Sequence, residues 1–118
     1  MTGTTSPRQA DVVARLRALL VGEPVRELSM FGGLSFMVGD KMLANVRKDG
    51  DLLLRVDADR HDELVAHPGA AQAEMGPGRQ MGPGWITVSS AAVADDEGLT
   101  FWTDVALQHN RSATGRTA

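Results

Sequence analysis

Apolar residues recur at helical spacing over the first ordered stretch of the chain. Val12, Val13, Leu16, Leu19 and Leu20 form one stripe, with Arg8, Asp11, Arg15 and Ala18 opposite. Ser6-Pro7-Arg8-Gln9 supplies a helix start: Ser6 can cap, Pro7 suits the first helical position, and Gln9 completes a capping box. Gly22 can end the helix in the left-handed conformation, and Glu23-Pro24 turns the chain. The period then shortens towards two. Val25–Ser29 alternates weakly, Met30-Phe31-Gly32-Gly33 interrupts it, and Leu34–Val38 is apolar and strand-like. Gly39-Asp40 predicts a two-residue hairpin turn. Lys41–Lys48 sets Met42, Ala44 and Val46 against Lys41, Asn45 and Arg47. Asp49-Gly50 is a strong turn signal, and Leu52–Val56 closes a three-stranded antiparallel meander.

Asp57 can cap a short helix with Asp59, Asp62 and Glu63 near its N-terminus, Leu64 and Val65 on its buried side, and His67-Pro68-Gly69 as its stop. The stretch Glu74–Trp85, EMGPGRQMGPGW, repeats a Met-Gly-Pro-Gly unit twice. With Glu74-Met75 extended before it and Trp85–Val88 a strand after it, the two units read as two breaks in the chain. Arg79-Gln80 is then exposed between them, and Met75, Met81 and Trp85 turn inward. Ser89–Ala94 suits one turn of helix. Asp95-Asp96-Glu97 opens a last helix to about Asn110, with Leu99, Trp102, Val105, Ala106 and His109 on one face and Phe101 at its margin.

This order of elements predicts an α+β fold of two layers: an antiparallel sheet of about five strands, covered by N- and C-terminal helices, with one short inserted helix. Residues 1–5 are expected to be a disordered N-terminus, 6–110 one domain, and 111–118 a disordered tail.

Charge and composition narrow the chemistry. Twelve basic residues against fifteen acidic ones give a net charge of -3. The cations are scattered among acids, which argues against direct nucleic-acid binding, since phosphate contacts need a basic surface. With no cysteine, disulfides and thiol chemistry are excluded, and a reducing cytoplasm is the expected compartment. No apolar run is long enough to span a bilayer, and the polar start MTGTTSPRQ lacks the apolar core of a signal peptide. Aromatics are only 4%, so the core must lean on Leu, Val, Ala and Met.

Candidate chemistry is sparse. His61, Asp62 and Glu63 are adjacent, but neighbours on a helix point about 100° apart, so they read as surface polarity and no metal site is expected. Ser35 and Ser89-Ser90 lack a nucleophile turn. Asp49, Asp51 and Asp95–Glu97 read as turns and caps rather than paired catalytic acids. Gly76-Pro77-Gly78-Arg79-Gln80 lacks the Gly-Lys-Ser/Thr ending of a phosphate loop, and its prolines remove backbone donors.

Taken together, Met30-Phe31-Gly32-Gly33, Gly78-Arg79, Met81 and Gly84-Trp85, in this order and spacing, resemble the N-terminal domain of the TfoX/Sxy family over roughly residues 8–110. The resemblance implies an α+β domain with an antiparallel sheet, no enzyme activity and no cofactor. The best-known members regulate natural competence in bacteria with a cyclic-AMP receptor protein, and carry a second, C-terminal domain for which 118 residues leave no room. The motif itself reads as structure: Phe31 buried, and Gly32-Gly33 free to take positive φ or to let another backbone approach.

Three functions are then open: a regulatory or protein-interaction module with a transcription-linked protein partner; a small-molecule binder using the flexible Met75 and Met81; or an enzyme of unrecognised type built around Arg79. A purely structural dimerisation role is a further alternative, through an exposed sheet edge or an apolar sheet face. Arg79 beside the Gly32-Gly33 kink is the first surface site to seek.

Overall fold

In a computed structural model, residues 7–30, 32–76, 78–113 and 115 are described. The proposed Ser6 cap, the loose N-terminus and the burial of Phe31 lie outside these residues, as do Pro77 and the side chain of Met75.

Helix α1 spans Pro7–Leu19. Val12, Val13, Leu16 and Leu20 are buried as their spacing predicts. Leu19, placed in the same stripe, is instead exposed; the buried arc is narrower than the run of apolar residues. Gly22 takes φ +94°, ending the helical path. Four strands follow in antiparallel order: β1 (Val25–Met30), β2 (Gly33–Val38), β3 (Lys41–Arg47) and β4 (Leu52–Arg55). The Gly39-Asp40 turn has φ +60° and +68°, with Asp40 the one non-glycine residue at positive φ among the described residues. Both values suit the turn that matches strand twist.

Asp57 accepts a hydrogen bond from the Asp59 N–H at 2.9 Å and caps a 3-10 turn at Ala58–Arg60, which runs into helix α2 (His61–Val65). Three short strands then follow: β5 (Ala70–Gln72), which periodicity did not predict, β6 (Glu74–Gly76), where Glu74-Met75 is extended as expected, and β7 (Arg79–Gln80), which was also not predicted. Strand β8 is Trp85–Val88. A 3-10 turn at Ser90–Val93, capped by Ser89, leads to helix α3 (Asp96–Ala113). Asp95 Oδ1 accepts from the Gly98 N–H at 2.8 Å, the cap its position suggests. The helix runs past the expected start of the tail at residue 111, because Arg111 reaches back 2.8 Å to Glu23 beside α1.

The fold is α+β. Six strands form one antiparallel sheet in the order β1-β2-β3-β4-β8-β5, and β6-β7 make a separate two-stranded ribbon. One face carries Phe36, Ala44, Val46, Leu52, Leu54, Ile86 and Val88, in register across the strands. These join Leu16 of α1, Leu20 just beyond its end, and Leu99, Trp102 and Val105 of α3 in the core. Burying each of these large side chains stabilises the fold by roughly 1.5–3 kcal/mol. Gln9 of α1 donates to Val46 O at 3.0 Å, and Arg15 of α1 donates to Val93 O at 2.9 Å, so polar groups also tie α1 to the sheet and to the turn that leads into α3.

The other face is not the polar surface that alternation predicts. Pairing places Leu28, Ser35, Asn45, Leu53, Thr87 and Ala71 in one cross-strand row there. Ser35, Asn45 and Leu53 at its centre are fully buried.

Candidate functional site

The β1–β2 connection closes over a polar contact. Gly32 takes φ +72°. Gly33 does not need a left-handed backbone; it needs empty space. A Cβ at Gly33 would land on Val46 O and on Asn45 Oδ1. The Asn45 side chain occupies that space, donating from Nδ2 to Met30 O at 3.0 Å and to Ser35 Oγ at 2.7 Å. Its Oδ1 is buried and has no hydrogen-bond partner among the described residues. Gly33 therefore makes room for an asparagine two strands away from β1, Met30 supplies the carbonyl that this asparagine reaches, and Gly32 takes the left-handed turn between them. Sequence reasoning placed Asn45 among outward polar residues and Ser35 among unlikely nucleophiles. A lone asparagine in an alternating strand carries no local signal of the carbonyl it will reach.

Beside this turn, a cleft of about 640 Å³ opens between α1 and the β1–β2 hairpin. Gln9, Val13 and Arg17 form one wall, Ser29, Met30 and Leu34 the other, and Lys48 stands at the mouth. Arg17 is held in a two-pronged pair with Glu27, both nitrogen–oxygen distances being 2.7 Å. The donating guanidinium holds the Glu27 carboxyl below the usual carboxylate range, against a smaller opposing effect of burial.

The second half of the motif lies elsewhere. Gly84 has φ +90°, and a Cβ there would sit 2.9 Å from Val56 O. Its N–H donates to His61 Nδ1 at 3.0 Å, and its carbonyl accepts from the Val56 N–H at 2.8 Å. His61 is buried, so the surface reading given to it is corrected: the imidazole is the acceptor that fixes the start of β8. Trp85, half-buried, lies under the Arg55 guanidinium, 4.6 Å from ring centre to carbon. Gly78 turns β6 into β7 with φ +75°, Arg79 is exposed on β7, and the Met81 N–H donates to Ala73 O at 2.9 Å.

Gly33 and Trp85 are three strands apart in sheet order and about four residues apart along the strands. That is about 14 Å in each direction. Arg79 lies on the separate β6-β7 ribbon, outside the sheet that carries the kink, and does not line the cleft beside it. The structure thus does not set Arg79 beside the Gly32-Gly33 kink.

Elsewhere, His67 packs against Phe101 and Trp102 at ring separations of 5.1 and 5.5 Å. A smaller cavity of about 400 Å³ lies between Met37, Met42, Arg55 and His109. Burial, and next the Arg55 charge, push His109 below its ordinary value. Among the described residues no group of three or more His, Asp or Glu is placed to hold a metal ion. No helix among them is long and apolar enough to cross a membrane.

A six-stranded antiparallel sheet backed by two helices, with Gly33 and Gly84 closed over Asn45 and His61, is the architecture of a small α+β domain. The chain matches the model of the TfoX N-terminal domain over residues 16–110, and so belongs to that family. No curated protein matches it.

Proposed function

We propose that this chain is a non-enzymatic regulatory domain that acts by binding a protein partner, linked to transcription and working in the cytoplasm. Family membership over residues 16–110 carries this reading. The geometry of the turns supports it: Gly33 and Gly84 serve packing around Asn45 and His61, and the α1–β1 cleft opens beside Gly33.

The cations favour a protein over a nucleic acid. Arg15, Arg17, Arg26, Arg60 and Arg111 are each paired with a carboxylate, and Arg55 rests on Trp85. Arginines committed in this way are poorly placed to neutralise phosphates. The alternative, a small-molecule site, draws on the cleft, whose volume is in the range of ligand pockets; its Arg17 and Gln9 are already hydrogen-bonded within the protein.

The absence of cysteine makes the test direct. A photo-crosslinker on Lys48→Cys, at the cleft mouth, is expected to trap one protein in cells that also associates with the transcription machinery. The same label on Glu74→Cys, on the ribbon, should not. Equal trapping at both positions, or none at either, would overturn the reading. A thermal-shift screen against metabolites and nucleotides separates the alternative, which requires a raised melting temperature with at least one compound.

A further inference from the structure

The cavity of about 400 Å³ sits by the β2–β3 turn, at the opposite end of the strands from the α1–β1 cleft, and shares no residue with it. Its walls are preformed. Asn110 of α3, itself buried, donates to Val38 O at 2.9 Å and fixes the end of the helix against the end of β2. Met37 and Met42 are directly opposed across β2 and β3 and line the cavity, both half-buried. Cations converge on it from three elements: Lys41 from β3, Arg55 from β4 and His109 from α3. Neither Lys41 nor Arg55 has an ion pair among the described residues. Asp40 is the one acid among the described residues that line the cavity, and it pairs with Arg26 at 3.4 Å. Burial, and next the Arg55 charge, hold His109 below its ordinary value, against a smaller pull from Asp57. An anion in the cavity would favour the protonated imidazole.

Arg55 is also set in a receptive posture. Trp85, opposed to it on β8, takes one face of the guanidinium, 4.6 Å from ring centre to carbon. Stacking uses the face of this planar group and leaves its in-plane N–H donors, which meet a carboxylate in two-pronged fashion.

We propose that this cavity binds a small organic monocarboxylate, taken edge-on by Arg55 beside Lys41 and His109, with its apolar part against Met37 and Met42. The tail is organic because two flexible thioethers gain by covering apolar surface, whereas against an inorganic phosphate they would only strip water from a charge. The molecule is small because about 400 Å³ lies near the lower end of ligand pockets. Approach within the guanidinium plane leaves the Trp85 contact in place. A nucleic-acid backbone needs a row of cations for its phosphates, and here Asp40 stands between Met37 and Lys41 in the same wall.

The test uses the intact chain and compares benzoate with uncharged benzamide. The His109 imidazole is followed by NMR, with His61 and His67, which do not line the cavity, as internal references. Benzoate is expected to raise the His109 titration midpoint and leave the other two where they are; benzamide at the same concentration should move none. Arg55→Gln should weaken benzoate binding at least about tenfold, the effect of losing a charge-assisted pair. Lys41→Gln should weaken it roughly threefold, the scale of an exposed charge pair. Lys41 is exposed, so this second variant decides even if Arg55→Gln disturbs Trp85. A rise in melting temperature with benzoate that Arg55→Gln abolishes belongs to this cavity and not to the α1–β1 cleft. A stationary His109 midpoint, equal binding of benzamide, indifference to both substitutions, or displacement of benzoate by an equal concentration of inorganic phosphate overturns the proposal.

Discussion

The two glycine turns, at Gly33 and at Gly84, are two halves of the molecule that solve one problem with different completeness. At Gly33 and at Gly84 the missing side chain lets a polar group come close: Asn45 in the first case, the Val56 carbonyl in the second. Around Gly84 the polar groups are matched, since its N–H finds His61 Nδ1 and its carbonyl finds the Val56 N–H. Around Gly33 the Asn45 amide donates twice, yet among the described residues Oδ1 stays buried without a partner. An unpartnered buried acceptor costs about 1–3 kcal/mol. The Gly33 side therefore depends on tight packing to hold a polar group that is only partly satisfied, whereas the Gly84 side depends on hydrogen bonds.

The largest effect should come from adding a methyl group where packing is tightest. Gly33→Ala is expected to destabilise the domain by about 3 kcal/mol or more, because its Cβ meets the Val46 carbonyl as well as the Asn45 side chain. Urea unfolding with an unchanged slope measures it. Adding Asn45→Ala should recover at least about 1 kcal/mol of that loss, since the two residues share one space. Strict additivity of the two changes would show that Asn45 is not what Gly33 accommodates.

Removing the polar partners themselves separates the two sides next. His61→Ala takes away the acceptor of the Gly84 N–H and opens a cavity, with an expected cost of about 2–3 kcal/mol. Asn45→Ala strands Met30 O and Ser35 Oγ but also removes the unpartnered Oδ1, so about 1–2 kcal/mol is expected. Equal costs would mean that the free oxygen is harmless and that the two halves are equivalent.

Much of the fold could be read from the chain, and the reasons are local. Gly39-Asp40 fixes its hairpin because both residues tolerate positive φ. Asp57 and Asp95 mark helix starts because their carboxylates satisfy nearby N–H groups. The EMGPGRQMGPGW stretch was legible as two breaks, the first turning β6 into β7 and the second leading into β8. Strands of two and three residues were not, since period-two alternation needs more positions to register. The site was harder to read. That Met30, Gly32 and Gly33 form a kink was visible; that Asn45 fills it was not, because its partners come from strands other than its own. His61 looked like helix polarity because nothing in a sequence sets it against a glycine N–H 23 positions away. Arg79 was the first surface site to seek beside the Gly32-Gly33 kink, but it lies on the β6-β7 ribbon outside the sheet that carries the kink, a separation set by sheet order and not by anything local in the sequence.

A smaller change tests the outer layer of the Gly84 half. Arg55 covers the Trp85 ring from the neighbouring strand, where the two residues are directly opposed. Arg55→Ala should cost about 0.5–1 kcal/mol, the range of a partly exposed cation–aromatic contact. Trp85 fluorescence should shift as the ring loses its cover. Arg55→Lys should restore part of the stability, because an ammonium retains the charge but not the stacked plane.

The finest distinction between the two halves is their response to pH. Beside the Gly33 cleft, the Glu27 carboxyl sits below its ordinary 4.5 because Arg17 donates to it. Near Arg55, His109 sits below its ordinary 6.5 because burial, and then the Arg55 charge, disfavour its protonated form. In both cases the unfolded chain binds the proton more readily than the folded one. Each group's contribution is therefore complete above its ordinary value and is lost as pH falls through the lower folded value. His109 should thus cause a first decline in the urea midpoint as pH drops below about 6.5, and Glu27 a second below about 4.5. His109→Gln should flatten the first decline and leave the second. Glu27→Gln should flatten the second and leave the first. A first decline that survives His109→Gln would remove the titratable difference between the two halves.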